Sequence, residues 1–163
     1  MWFGKKKKEY KAIVEMPKGT RYKYEIEKIS GILVLDRPIS TPVPVNYGCI
    51  PGTLSPDRDS LDVFIISLEP IPALTLVDIE PVAFIEGFDS KVQDDKVVAF
   101  VKDDTHTKSL VSQEETVKAI VEYLKTYKEG FEVGEVFDQN KAVLEIERAR
   151  NYFTAMKSAL LNK

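Results

Sequence analysis

Three aspartates lie within one short segment of the chain. Asp57 and Asp59 fall in a turn that begins Ser-Pro, where aspartate is common because its side chain bonds nearby backbone groups. Asp62 instead opens an apolar strand and shares a face with Phe64 and Ile66. A carboxylate on an apolar face needs a partner, because burying an unpaired charge is costly. Asp62 is therefore the first candidate for chemistry.

A second acidic segment surrounds a predicted hairpin. Asp89 precedes it, Asp94 follows it, and Lys96 shares a strand face with Val98 and Phe100. The segment is either a polar hairpin tip in solvent or a pair of carboxylates that point inward from both sides. Spacing alone is compatible with both interpretations.

Five carboxylates gathered in one place would repel each other strongly. At ~4 Å and an effective dielectric constant of ~20, each like-charged pair costs ~4 kcal/mol. Surface salt bridges return at most ~1 kcal/mol each and cannot hold such a cluster. An all-oxygen site suits Mg²⁺, Mn²⁺ or Ca²⁺. An EF-hand starting at Asp57 is excluded, because its glycine position falls on Asp62 and its final glutamate position on Leu68.

Cationic and phenolic side chains lie near the ends of the predicted elements. These are Lys23, Arg37, Lys96 and Lys128, with Tyr47 and Tyr127. Any one lysine is more often a solvated surface residue. If the set converges with the acids, it suits a highly anionic ligand, and phosphate esters or anhydrides are the first expectation.

The amino-acid composition limits the classes of protein to which the chain can belong. The chain has 163 residues, 44% hydrophobic, and 23 basic against 26 acidic residues give a net charge of −3. This balance favours a globular fold and argues against a surface built for nucleic acid. With Cys49 and His106 as the single cysteine and histidine, an internal disulfide is excluded and a zinc site or Cys–His nucleophile is not expected. A reducing, cytoplasmic location is the expectation.

The chain is predicted to form one domain over residues 1–163. The lysine run at residues 5–8 is followed by polar residues instead of the apolar stretch that a signal peptide requires. Residues 1–9 are predicted to be a flexible basic terminus. No apolar stretch approaches the ~20 residues that cross a bilayer, so no membrane association is expected.

Alternating polarity predicts strands in the first two-thirds and helices in the last third. The predicted strands cover residues 10–15, 21–27, 32–37, 61–67, 75–79, 82–88 and 94–101. Ser112 followed by Glu115 predicts a helix start, and Gly130 ends that helix. A second helix is predicted over residues 141–161. The pattern favours an α+β fold, a β-barrel with helices packed on it.

The segment Asp57-Arg58-Asp59-Ser60-Leu61-Asp62-Val63 resembles the signature of the family I soluble inorganic pyrophosphatases: Asp, a small residue, Asp, Pro or Glu, an aliphatic residue, Asp and an aliphatic residue. Other segments resemble the family in the same order: Val14-Glu15-Met16-Pro17, Lys23-Tyr24-Glu25-Ile26, Asp36-Arg37, Asn46-Tyr47-Gly48, Pro81 through Lys96, and Tyr127-Lys128. The resemblance covers nearly the whole chain.

The resemblance implies a five-stranded OB-like barrel with additional short strands and two flanking C-terminal helices. It implies hydrolysis of diphosphate to two phosphates by in-line attack of a metal-activated water, with Mg²⁺, or Mn²⁺ as a substitute. Asp59 would be the general base; Asp57, Asp62, Asp89 and Asp94 would bind metal, with Glu15 assisting through water; Lys23, Arg37, Tyr47, Lys96, Tyr127 and Lys128 would hold the phosphates; and Glu25 would be a peripheral acid. A homo-oligomer, with a hexamer favoured, is also implied.

Four positions depart from the family pattern. Arg58 stands where a small residue, usually Gly, is common, and Ser60 replaces Pro or Glu. Val43 falls where many members carry a tyrosine, and Glu135 where a lysine is often found. None of these removes an expected metal ligand or the base, so we expect altered affinity rather than lost chemistry.

Two alternatives differ in kind from an active hydrolase. An OB-type module could bind nucleic acid without catalysis, and such binding would depend on salt and survive Asp59→Asn. A degenerate family member could bind phosphates without turning them over. The acidic character of the expected groove argues against the first, and retention of all the matching acids argues against the second.

Overall fold

The computed structural model describes Gly4 and residues 7–162. Its strands are β1 (Tyr10–Met16), β2 (Tyr22–Ile26), β3 (Leu33–Pro38), β4 (Asn46–Ile50), β5 (Leu61–Ile66), β6 (Leu76–Asp89), β7 (Val92–Gln93), β8 (Lys96–Val101) and β9 (Phe131–Asp138). Its helices are α1 (Thr105–Leu110), α2 (Gln113–Thr126) and α3 (Gln139–Leu161). The segment predicted to be a flexible basic terminus, residues 1–9, lies partly outside the described residues, which include only positions 4 and 7–9 of it.

Five strands close into a barrel. β1 pairs with β4, β4 with β5, β5 with β8 and β8 with β6, and β6 returns to pair with β1. Only the β5–β8 pairing in this ring is parallel. β7 and β9 extend the sheet along β6, while β2 and β3 form a separate hairpin. This confirms the predicted α+β barrel.

Alternation along the barrel strands feeds two apolar clusters. On β5, Val63 and Ile65 belong to the cluster that packs against α3, whereas Phe64 and Ile66 belong to the cluster that packs against α2. Successive strand residues point to opposite faces, so one strand serves both clusters. Asp62 lies on the same face as Phe64, at the end where that cluster stops.

The strand β6 differs from the sequence prediction, which divided it into two strands at Pro81. The structure has one strand of 14 residues, with a shift of register between Pro81 and Ala83 against β8. Proline has no N–H for the ladder and is tolerated where a bulge interrupts pairing. The strands β4, β7 and β9 and the short helix α1 were not predicted from the sequence.

The two longer helices both begin after a capping side chain, and the cap of α2 is the one predicted from the sequence. Ser112 accepts a hydrogen bond from the backbone N–H of Glu115 at 3.3 Å and caps α2. Asp138 caps α3 by accepting from the N–H of Lys141. Among the described residues, no helix has the length and apolar character needed to cross a membrane.

The apolar stripe of α3 is only half covered. Ala142, Ile146 and Ala149 are buried against the barrel, but Met156 is 42% exposed and Leu160 is 69% exposed. The first half of the helix therefore anchors it, and the second half presents an apolar surface.

Gly48 lies where the backbones of β1 and β4 approach each other closely. A Cβ atom at this position would overlap the carbonyl oxygen of Ile13 and lie 2.9 Å from its carbonyl carbon. Because backbone atoms cannot move aside cheaply, Gly48→Ala should lower the free energy of unfolding by about 3 kcal/mol or more in denaturant titrations. Gly52→Ala is the control, since its Cβ meets open space and its φ of 73° alone costs about 1–2 kcal/mol. Equal losses for the two variants would contradict the steric argument.

Candidate active site

A buried lysine lies between two carboxylates at the end of the barrel. Lys96 is 1% exposed, and its Nζ donates to Asp62 Oδ2 at 2.6 Å and to Asp94 Oδ1 at 2.5 Å. The parallel register of β5 and β8 places Asp62 directly beside Lys96. Asp94 comes from the end of the β6–β7 hairpin, two residues before Lys96. The inward interpretation of Asp94 is therefore the one that the structure shows.

Burial and charge oppose each other at this lysine. Burial alone would lower the pKa of Lys96, but Asp62 and Asp94 outweigh it, and the pKa is well above its ordinary range. Burial raises the pKa of Asp62, and the charge of Asp94 raises it further against the opposing effect of Lys96. One ammonium thus leaves two carboxylates incompletely compensated.

Glu15 adds a buried acid to the same region. It lies near the end of β1, is 8% exposed, and has a pKa raised from 4.5 to about 7, mainly by burial. Hydrogen bonding with the Cys49 thiol opposes the rise, whereas Asp62 and Glu25 add to it. Burial also raises the pKa of Cys49 well above its usual range, so the thiol is a poor nucleophile.

The turn between β4 and β5 carries the other two acids of the signature. Asp57 is half-buried, and burial raises its pKa, with contributions from the charges of Asp94 and Asp59. Asp57 Oδ1 accepts a hydrogen bond from the backbone N–H of Asp59 at 3.0 Å. The Asp59 carboxylate is exposed and forms an ion pair with Lys28, whose Nζ also donates to the carbonyl of Arg58 at 3.0 Å.

Arg58, between these acids, has a φ of 69°. The left-handed region suits glycine and strains other residues, which explains why a small residue is common at this position of the family pattern.

Asp89 ends β6 and forms an ion pair with Lys128, just beyond α2. The hairpin formed by β6 and β7 thus carries Asp89 on one side and Asp94 on the other. Both acids contact a predicted phosphate-binding lysine in this structure. Any ligand that recruits Lys96 or Lys128 must compete with these carboxylates.

A small cavity adjoins the acids. Four predicted substrate-binding residues contribute to its lining, together with five residues that are mostly apolar: Lys23, Tyr47, Lys96 and Tyr127, with Met16, Ile39, Phe64, Tyr123 and Leu124. Burial raises the pKa of Tyr47 and of Tyr127 well above their ordinary range. Both phenols are therefore protonated hydrogen-bond donors at neutral pH.

Arg37 supplies a donor that has no partner. Its Nη1 donates to Asp36 Oδ2 at 3.0 Å, but its Nη2 is buried without a hydrogen bond, alone in this respect among the described side chains. An unsatisfied buried donor costs free energy and indicates a missing acceptor. Lys23 pairs with Glu25 at 2.6 Å and lies 3.7 Å from Asp36.

The donor set fits hard divalent cations in its chemistry. The acids offer only carboxylate oxygens. Burial, with repulsion from neighbouring carboxylates, raises the pKa values of Glu15, Asp57 and Asp62, and a bound cation would offset that repulsion. No three of them in the described chain already surround a common point closely enough to hold a metal ion. Because lysines occupy several of their oxygens, a bound metal ion would require side-chain rotations.

Among the polar residues that contact or line this site, Lys28, Asp36 and Tyr123 were not predicted as site residues from the sequence. Lys28 binds Asp59, Asp36 binds Arg37, and Tyr123 lines the cavity. The departures lie where they offer little: Val43 is buried in the apolar cluster and has no donor, and Glu135 is exposed.

Comparison with known proteins agrees with this architecture. Residues 12–157 match the family model described as inorganic pyrophosphatase. The chain is 34% identical over 125 residues to an inorganic pyrophosphatase of Gluconobacter oxydans, covering 72% of each chain. It is 33% identical over 122 residues to one of Methanosarcina acetivorans, covering 71% of this chain and 73% of that one.

Solved structures show the same fold. The inorganic pyrophosphatase of Thermus thermophilus superposes with a TM-score of 0.83 at 26% identity, covering 94% of this chain and 97% of that one. The Helicobacter pylori enzyme gives a TM-score of 0.82 at 25% identity over 94% and 98% of the two chains. With a closed barrel, an acidic centre and a family match over most of its length, the chain belongs to the inorganic pyrophosphatase family.

Proposed function

We propose that the chain hydrolyses inorganic diphosphate to two phosphates with Mg²⁺, which Mn²⁺ can replace. The observation that carries the proposal is a set of carboxylates, too many for the one buried lysine among them, directly beside a cavity lined by Lys23, Lys96 and three tyrosines. Such a pairing of acids with cations suits a ligand made of dications and a polyanion.

The metal-binding residues in this proposal are Asp57, Asp62, Asp89 and Asp94, with Glu15 acting through water. Their oxygens form a hard donor set, and neighbouring carboxylates add to the rise that burial causes in the pKa values of Asp57 and Asp62. Bound Mg²⁺ would lower the pKa of a water and offset the charge on the phosphates. Glu25, 56% exposed and paired with Lys23, is peripheral.

The phosphate-binding residues in this proposal are Lys23, Arg37, Tyr47, Lys96, Tyr127 and Lys128. The unpartnered Nη2 of Arg37 supports its role, because a phosphoryl oxygen would satisfy it. Lys96 and Lys128 now bind carboxylates and would turn toward phosphate as those carboxylates find other cations.

Asp59 is the proposed general base. Its carboxylate is 59% exposed and lies outside the Lys96 pair network, so water can reach it. Lys28 holds it from one side through the ion pair and through the backbone of Arg58. The turn thus presents an accessible acceptor next to Asp57.

A homo-oligomer, with a hexamer favoured, and a cytoplasmic location remain part of the proposal. The uncovered apolar half of α3, including Phe153, Met156 and Leu160, supports association with further copies, since large exposed apolar patches mark interaction surfaces. Val34 and Leu35 of the β2–β3 hairpin are exposed as well, one on each face of the hairpin.

The purified protein should release phosphate from diphosphate when Mg²⁺ is present and none when EDTA replaces it. Phosphate release measured colorimetrically checks this directly. A metal-replete, folded preparation that binds diphosphate without turnover would contradict the enzyme and favour a degenerate family member. Salt-dependent oligonucleotide binding that survives Asp59→Asn would favour the nucleic-acid module.

Asp59→Asn and Asp62→Asn should change different kinetic properties of the enzyme. Loss of the base should slow turnover by about 10²–10⁴-fold and shift the pH profile, while the Mg²⁺ concentration at half-maximal activity stays nearly constant. Asp62→Asn should raise that Mg²⁺ concentration as well as lower turnover, because it removes a ligand. Steady-state kinetics against Mg²⁺ concentration separate them. If Asp59→Asn changed only the metal requirement, its role as the base would be wrong.

The raised pKa of Glu15 predicts that the folding stability of the metal-free protein depends on pH. A carboxyl whose pKa is higher in the folded chain than in the unfolded one loses folding free energy as the pH rises between the two values. The pKa of Glu15 rises from 4.5 to about 7 on folding. In EDTA, Glu15→Gln should therefore have the same free energy of unfolding as wild type near the lower of these pH values. Above the higher value, its free energy of unfolding should exceed that of wild type by about 3 kcal/mol. Urea titrations across this range measure the difference, and Glu132→Gln, an exposed change in β9, should show no such gap.

A further inference from the structure

We propose that the hydroxyl of Tyr123 is an additional substrate-binding donor, which hydrogen-bonds a phosphoryl oxygen in the cavity beside Arg37. The inference rests on the proposed function and deepens it, since it adds a residue to the phosphate-binding set. Nothing in the sequence pattern singled out Tyr123, which falls at helical spacing in α2 among apolar residues.

Aromatic packing fixes the ring of Tyr123. It stacks on Tyr127 with centroids 5.4 Å apart and an angle of 22° between the ring planes, and it meets Phe64 edge-on at 6.3 Å. Tyr127 and Phe64 line the same cavity as Tyr123, together with Lys23 and Lys96. The ring is therefore held by the wall that contains the proposed phosphate-binding residues.

The hydroxyl of Tyr123 has no hydrogen-bond partner within the described chain. Tyr123 is 7% exposed, so most of its ring is buried. Its unpartnered hydroxyl oxygen is nevertheless not fully buried, because Arg37 Nη2 is the sole described side-chain nitrogen or oxygen that is both fully buried and unpartnered. The Tyr123 oxygen therefore reaches open space rather than being sealed in the apolar cluster. A buried tyrosine normally satisfies its hydroxyl, so an unpartnered one next to a cavity suits an incoming acceptor.

Arg37 is the charged neighbour of this phenol. Arg37 lies opposite Lys23 in the β2–β3 ladder, and Lys23 lines the same cavity as Tyr123. Burial raises the pKa of Tyr123 to about 12, and the positive charge of Arg37 acts in the opposite direction. The phenol is therefore a protonated donor at neutral pH. Together with the unpartnered Nη2 of Arg37, it makes two donors that lack an acceptor in one region.

A purely structural role predicts something different for Tyr123. If the ring served packing alone, phenylalanine would fill the same space against Tyr127 and Phe64 at no cost to binding. The hydroxyl is therefore the group to test, and Tyr123→Phe removes it while keeping the ring. Tyr152→Phe is the matched control, because Tyr152 is 51% exposed on α3.

Steady-state kinetics with magnesium diphosphate should show the KM of Tyr123→Phe raised about tenfold, with kcat changed less than about twofold, as expected for a lost hydrogen bond to a charged group. Tyr152→Phe should match wild type. Calorimetric titration with Mg²⁺ and methylenediphosphonate, which is not hydrolysed, should show the same weakening. An unchanged KM and an unchanged analogue affinity would overturn the proposal.

A double-mutant cycle separates local contact from general damage. Arg37→Lys and Tyr123→Phe should couple, since two donors on one phosphoryl group are not independent, whereas Lys128→Ala and Tyr123→Phe should combine additively. Additivity with Arg37→Lys would count against a shared phosphoryl group and overturn the placement. Absence of turnover in the wild type would end the proposed function, whereas analogue binding would still decide the role of Tyr123.

Discussion

The constraint on which the rest depends is the charge balance around Lys96. One buried ammonium faces Asp62 and Asp94 at hydrogen-bond distance, and Glu15 and Asp57 raise the negative charge nearby. Removing a partner from such a buried network costs far more than its net stabilisation, because an uncompensated charge remains. The fold therefore tolerates the acids only while cations lie among them, and a cation that binds Asp62 or Asp94 competes with Lys96 for the same oxygens.

The barrel converts this electrostatic arrangement into fixed geometry. The parallel pairing of β5 with β8 places Asp62 and Lys96 side by side, and the β6–β7 hairpin brings Asp94 to the same point. Strands whose next residues, such as Val63 and Val97, are completely buried cannot shift register without moving their apolar side chains out of the core. The same alternation that builds the core thus keeps the acids in place.

The fold was predictable where local pattern determines structure. Asp62 could be singled out because a carboxylate on an apolar face is costly, and Ser112 caps α2 where the sequence predicts a helix start. The strand β9 escaped prediction because Gly134 and several acidic residues interrupt its alternation, and it exists through its pairing with β6. The contact of Lys28 with Asp59 joins residues far apart in the chain, and no single-sequence pattern records it.

The fold holds the buried acids of the site more firmly than the exposed one. Asp62 and Asp94 are held from inside by a buried lysine, whereas Asp59 is held from outside by an exposed one, and exposed ion pairs contribute at most ~1 kcal/mol. The strained φ of Arg58 in the same turn costs about 1–2 kcal/mol. The turn is thus the softer part of the site. This softer turn carries both Asp59, the proposed base, which must follow the water it deprotonates, and Asp57, a proposed metal ligand, whereas the buried Lys96 keeps Asp62 and Asp94 in place.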